Sequence, residues 1–353
     1  MRIAFIGSVG LPNRYGGFES FLEQCAPAFV RAGHETLVTC DASAYPDDRS
    51  ADFHGVRRLF IGIRANGAMS ILHDLVAFFA VFARSTHIVV LGVSGGPFFP
   101  LFRLLCSLTG KKLLVNIDGV EWRRTKFSRS RRLILRAFDA LAQLSAHVVI
   151  YDNGALLPFV LAVARRRARL IGYSGDHVMR EPSIARVPGT ALTICRIEPE
   201  NNIQLIIDGA LASSGLRRYT IIGNWNGSAY GRELRDRYRA EPRLALLDPV
   251  YDQRILAQHR ESCSMYIHGH SVGGTNPSLV EILFYDCAIF CFDCDFNRET
   301  AGDSARYFTN PEELARLIDT PEAAASAAER DATRARFTRD AIAAAYLDAM
   351  RQD

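Results

Sequence analysis

Residues 266–281 read YIHGHSVGGTNPSLVE, which contains the end of a strand, a sharp loop and the start of a helix. The apolar run closes at His268, Gly273 and Gly274 bend the backbone, and Pro277 takes a favoured first helical position. Backbone N–H groups freed by such a loop suit a diphosphate. Glu281, one turn into the helix, reaches back toward paired hydroxyls such as those of a ribose. His268 and His270 are two apart, but no third ligand stands at a useful spacing, so no metal is predicted.

The same unit recurs along the chain. Strands are predicted at Arg2–Ile6, Thr36–Thr39, His87–Leu91, Lys112–Ile117, His147–Ile150 and Arg169–Ile171. Helices fall between most of them, at Phe18–Ala32, Ile71–Phe82, Phe99–Leu108, Arg131–Leu144 and Ala155–Ala164. After an aperiodic stretch at Tyr173–Gly189 the rhythm restarts, with strands at Ala191–Cys195, Tyr219–Gly223, Ser264–His268 and Ala288–Phe292 and helices at Ile203–Ala212 and Glu233–Tyr238. Strands separated by helices imply parallel βαβ units. The expectation is an α/β protein of two Rossmann-like domains, 1–172 and 190–335, facing across a cleft at the carboxyl ends of their strands. Ala-rich helices close the chain, with 336–353 returning to the first domain.

Composition agrees with this plan. A chain of 353 residues is long enough for two cores. The net charge of +4 is too small to argue for nucleic acid. Eight scattered cysteines in apolar flanks read as reduced structural thiols. Met1–Gly7 reads as a first strand rather than a leader, and residues 71–82, too short to span a bilayer, as a buried helix.

Three further stretches carry candidate chemistry. The loop Gly7–Gly17 lacks dinucleotide-fingerprint spacing, yet Gly16 and Gly17 precede a helix whose N–H groups face an anion; a plain tight turn is the alternative. In VNIDGVEWRR (115–124), Asp118 and Glu121 lie three apart at a strand's end, placed to act as a base or hold a sugar. The other reading is a turn residue plus a Glu121–Arg124 pair. Seven basic residues from Arg123 to Arg136, interleaved with Trp122 and Phe127, fit a solvated helix face or attraction to an anionic membrane surface or a lipid-carrier diphosphate. No motif supports RNA. In ICRIEPENN (194–202), Arg196 is placed to meet a phosphate, or else to pair with Glu198 or Glu200.

Taken together, RYGGFE (14–19), DGVEWRR (118–124), RIEPENN (196–202), the stretch 268–281 and FNRE (296–299) resemble the rhamnosyltransferase-like branch of glycosyltransferase family 4. The resemblance covers residues 1 to about 310. It implies a GT-B fold with acceptor binding in the first domain, nucleotide-sugar binding in the second, and retaining transfer without metal or other cofactor. By position, the donor would meet Gly16, Gly17, Arg196, Asn201, His270, Gly273, Gly274, Thr275, Asn276, Ser278 and Glu281. The acceptor would meet Tyr15, Glu19, Trp122, Arg123 and Arg124, with Asp118, Glu121 and Arg196 at the chemistry. Two positions depart from the wider family: its lysine five residues after the arginine is Asn201, and the first glutamate of its pair is Gly273.

The expected function is transfer of a sugar, rhamnose from dTDP-rhamnose in the narrower branch, to a lipid-linked saccharide in surface polysaccharide synthesis, in the cytoplasm and peripheral to the membrane. The alternatives are a UDP- or GDP-sugar donor, a sugar-nucleotide epimerase, and a non-catalytic nucleotide-sugar-binding protein.

Overall fold

A computed structural model describes residues 1–14, 16–117, 119, 120, 122, 128–320, 325 and 327–352. Contacts divide it into two compact units, Met1–Ser174 with Arg339–Asp353, and Gly175–Thr338. The first unit runs β1 (Arg2–Ile6), α1 (Gly17–Arg31), β2 (Glu35–Asp41), β3 (Asp52–Phe53), β4 (Val56–Ile61), α2 (Ser70–Phe82), β5 (His87–Leu91), α3 (Phe99–Leu108), β6 (Lys112–Asn116), α4 (Arg129–Ser145), β7 (Val148–Tyr151) and β8 (Ala168–Leu170). Its sheet has the order β3-β4-β2-β1-β5-β6-β7-β8, parallel except for the β3–β4 hairpin.

The second unit runs β9 (Val187–Ile194), α5 (Ile203–Ala212), β10 (Arg218–Ile222), α6 (Ala229–Tyr238), β11 (Leu244–Leu247), α7 (Gln253–Ser262), β12 (Cys263–His268), α8 (Pro277–Ile282), β13 (Ala288–Phe292), α9 (Asp295–Ala301), β14 (Arg306–Phe308), α10 (Pro311–Asp319) and α11 (Ala327–Ala335). The sheet order is β11-β10-β9-β12-β13-β14, parallel throughout. Numbered from its own first strand this is 3-2-1-4-5-6, the order of dinucleotide-binding sheets. A final helix, α12 (Arg339–Arg351), belongs to the first unit.

Each core follows from apolar strands buried on both faces. In the first unit the Phe5 ring of β1 stacks on Phe29 of α1 at 5.5 Å, and Tyr346 of α12 stacks on Phe21 at 4.9 Å. The Tyr346 hydroxyl accepts a hydrogen bond from Asn116 Nδ2 at 3.1 Å. In the second unit Trp225 is fully buried and its indole N–H donates to the Leu247 carbonyl at 3.1 Å. All eight cysteines are free thiols.

Some expectations need correction. The helix predicted over 155–164 is two 3-10 segments, Gly154–Phe159 and Ala162–Arg167. Pro158 has no N–H to continue a helix, and Asn153 caps a tight turn through Oδ1 on Ala155 N–H. Strands β3, β4, β11 and β14 escaped prediction because they are short or charged. Arg58 in β4 is nonetheless buried, paired with Asp48 at 2.9 Å. Helix α2 is not buried all round: His73 and Asp74 face inward, while Leu72, Val76 and Phe79 lie exposed. Among the described residues no helix is long and apolar enough to cross a membrane.

Candidate nucleotide-sugar site

In an open sheet of order 3-2-1-4-5-6, neighbouring strands at the reversal of order send their chains to opposite faces, leaving a crevice outside their carboxyl ends. In the second unit that point lies between β9 and β12. The loop after β9 carries Arg196 and Asn201, and the loop after β12 carries His270 to Asn276.

The two loops are joined by four hydrogen bonds. Asn201 Oδ1 meets His270 Nδ1 at 2.7 Å, and Asn202 Nδ2 donates to Gly269 O at 2.8 Å. The N–H and the Oγ of Ser271 both donate to Glu200 O at 2.9 Å. Asn201 Nδ2 donates to Arg196 O at 2.6 Å, which fixes the amide's orientation. Its Oδ1 then only accepts, so His270 carries a proton on Nδ1. Asn297 of α9 holds His270 from the other side, donating to its carbonyl at 2.8 Å. Asn202 takes the left-handed conformation at φ 49°, one that asparagine tolerates. A Cβ on Gly269 would lie 2.2 Å from Asn201 O, so only glycine allows the loops to approach this closely.

Arg196 is exposed, and its guanidinium makes no ion pair with a described residue; pairing with Glu198 or Glu200 is not seen. The Gly273 and Gly274 N–H groups donate to no backbone acceptor among the described residues. Gly273 has φ +125°, and a Cβ there would meet His270 Nε2 at 3.3 Å. Any side chain would be strained at this position. Asn276 caps α8, its Oδ1 accepting from Ser278 N–H at 3.0 Å and Ser278 Oγ at 2.9 Å. Thr275 is buried beside it.

Two predicted donor residues differ from expectation. Asn201 is buried, with Nδ2 donating to Arg196 O and Oδ1 accepting from His270 Nδ1, so it ties the two loops together. Glu281 is not an open carboxylate: Oε2 pairs with the buried Arg260 and Oε1 lies 3.4 Å from His177 Nε2. Burial alone would raise its pKa; Arg260 and His177 more than offset this and hold it below the usual value. His268 lies buried against Tyr266, Nε2 without a partner among the described residues, and burial pushes its pKa down to about 3. Arg260, His177 and Asn297 escaped the sequence reading: these partners stand 21 to 104 positions away, so spacing gave no cue.

In the first unit the order reverses between β1 and β5, with the loop 7–16 at that point. Gly7 (φ +88°) lies against the Leu91 carbonyl, where a Cβ would approach to 2.5 Å. Gly16 and Gly17 open α1, and the Glu19 carboxylate accepts from Val9 N–H at 2.7 Å. Burial raises its pKa, with bonds from the Val9, Glu19 and Gly16 N–H groups opposing. At 3% exposure Glu19 holds this loop closed rather than facing an acceptor. Trp122 is half-buried, its indole N–H on Asp139 at 3.1 Å and Arg136 5.3 Å above its ring. Tyr15, Asp118, Glu121, Arg123 and Arg124 lie outside the described residues. In the nearby cluster 165–169, Arg165 and Arg167 are spent on carbonyls of Val160, Gln143 and Leu144.

With this geometry established, the chain can be compared with known proteins. Residues 1–176 match the family model described as Domain of unknown function (DUF1972). No curated protein matches the chain significantly in sequence. Among solved structures, sucrose-phosphate synthase from Thermosynechococcus elongatus superposes with TM-score 0.79 at 16% identity, over 99% of this chain and 98% of that one. HepE from Anabaena in complex with UDP gives 0.74 at 16% over 99% of both chains. The catalytic domain of starch synthase IV from Arabidopsis thaliana, bound to ADP and acarbose, gives 0.70 at 10% over 99% and 98%. The fold is GT-B. In GT-B terms the first unit is the amino-terminal Rossmann-like domain and holds the DUF1972 match, and the second is the carboxyl-terminal domain with the Arg196–Gly274 loops.

Proposed function

We propose that the chain is a retaining, metal-independent glycosyltransferase, moving rhamnose from dTDP-rhamnose to a lipid-linked saccharide at the cytoplasmic face of a membrane during surface polysaccharide assembly. The observation that carries this reading is an exposed Arg196 with no ion pair among the described residues, and Gly273 and Gly274 N–H groups that donate to no described backbone acceptor, on loops joined to each other at the switch point of a GT-B domain. A departing nucleoside diphosphate gains negative charge; a guanidinium and preorganised N–H groups offset that charge without reorganising during the reaction. The His270 side chain, held by Asn201, and the Asn276 turn shape the sugar end of the site. On this reading Asp118 lies beside the transferred sugar, Glu121 handles the acceptor hydroxyl, and the leaving phosphate takes the acceptor proton in front-face attack. A UDP-sugar is the second candidate donor, because HepE structures of this fold hold UDP and UDP-glucose.

The test is thermal stabilisation across dTDP-, UDP- and GDP-sugars, followed by a transfer assay with the stabilising donor. Arg196→Ala should lower turnover by about 100-fold or more with an unchanged melting temperature. Near-normal turnover in that variant would remove Arg196 from the mechanism. Conversion of donor alone to an isomer would make the enzyme an epimerase.

A further inference from the structure

We propose that the outer face of α2 and α3, continued by the first turns of α4, is a docking surface for an anionic lipid bilayer. This inference is independent of the transferase reading. Leu72, Val76 and Phe79 of α2 recur at helical spacing and are 42–50% exposed; Leu101, Leu104 and Leu108 recur likewise on α3 and are 37–74% exposed. An exposed helix face is ordinarily polar, yet the polar residues of α2, His73 and Asp74, are the buried ones. The inner rings hold the two helices side by side: Phe78 stacks on Phe102 at 4.0 Å with an interplanar angle of 11°. The two apolar rows therefore form one strip. Of the seventeen large apolar side chains exposed among the described residues, ten fall between 69 and 144, which marks an interaction patch rather than scatter.

Charge identifies the occupant. Between residues 62 and 146 the sequence has twelve Lys and Arg against four Asp and Glu, while the whole chain is only +4. Of those four acids, Asp74 and Asp139 are buried, so α2, α3 and α4 expose no carboxylate. On α4, exposed Leu133 and Ile134 sit between exposed Arg131 and Arg136. A second copy docking through the same face would set arginine against arginine, and a polyanion would leave the leucine and phenylalanine rows unused. An anionic bilayer takes both: the apolar rows enter the headgroup–acyl boundary by roughly 5–10 Å, and the guanidiniums meet lipid phosphates.

The test is co-sedimentation of the full chain with vesicles of equal parts phosphatidylglycerol and phosphatidylcholine, against phosphatidylcholine alone. Binding is expected to the anionic vesicles and to weaken with added salt. Phe79→Glu with Leu104→Glu, at exposed positions, should weaken it by about tenfold or more. Arg129→Glu with Arg131→Glu should have an effect of similar size. If the first pair lowers the melting temperature, Leu72→Gln with Leu108→Gln replaces it. The proposal fails if the unmodified protein ignores anionic vesicles, binds neutral ones equally well, or binds unchanged in the variants. A dimer dissolved by Phe79→Glu with Leu104→Glu, without vesicle binding, would assign the face to a second copy and equally overturn it.

Discussion

Asn201 shows how one side chain can tie two loops together. Its amide reads the Arg196 carbonyl with one end and His270 Nδ1 with the other, so it fixes both loops and a histidine tautomer. Asn201→Ala should therefore raise the donor KM while leaving the pH dependence of the bound complex similar, measured by transfer kinetics. Two buried titratable residues make stability predictions with opposite signs. His268 has a folded pKa of about 3 against an ordinary 6.5, so its unfolded form binds the extra proton between those values. The stability it contributes is present above pH 6.5 and is lost as pH falls toward 3, by up to about 1.4 kcal/mol per pH unit. His268→Phe should flatten the acid limb of a melting-temperature-versus-pH curve in that window. Asp74 is the reverse case: burial raises it to about 7 from 3.8, with the Ser94 hydroxyl bonded to Oδ2 at 2.8 Å. Its contribution is present below pH 3.8 and lost as pH rises through 7. Asp74→Asn should thus raise stability at pH 8 by on the order of 2–4 kcal/mol.

At the level of elements, the joint between the β9 and β12 loops depends on backbone shape. Gly269→Ala would drive a methyl into the Asn201 carbonyl and should weaken donor binding together with stability, visible as loss of the ligand-induced thermal shift. Alternation of strand and helix was readable because parallel strands are continuous apolar runs and their helices carry a 3.6-residue period. The plan of two Rossmann-like domains followed from that rhythm restarting after residue 189, and the GT-B expectation from the resemblance of the motifs. Less readable was what burial does to polar residues. Arg260 looks like any surface arginine of an amphipathic helix, but it lies buried against Glu281; Glu19 looks like a first-turn acid, but it closes a loop. The exposed rows of α2 were missed for a related reason: apolar content reads as burial, and nothing local says which side of a helix meets the sheet. The position of Arg196, Gly273 and Gly274 in loops at strand ends was legible because apolar runs mark where each strand stops and glycines mark the bend that follows.

On the scale of the molecule, α12 joins sequence ends to one core. Tyr346 packs among Phe5, Phe21 and Phe29, so Tyr346→Ala should destabilise the first unit by roughly 3–5 kcal/mol, measured by denaturant unfolding of the full chain. Two backbone crossings, at 174–175 and 338–339, connect the units, and just inside the second unit the incoming and outgoing chains are hydrogen-bonded, Gly175 N–H to Phe337 O at 2.9 Å. Topologically, the second unit is an insertion within the first. During synthesis on the ribosome, the phenylalanines that need Tyr346 emerge more than three hundred residues before it. The inserted half can close its own core first, while the half that begins the chain stays incomplete, its aromatic cluster uncovered and dependent on chaperone protection, until translation delivers the helix that seals it.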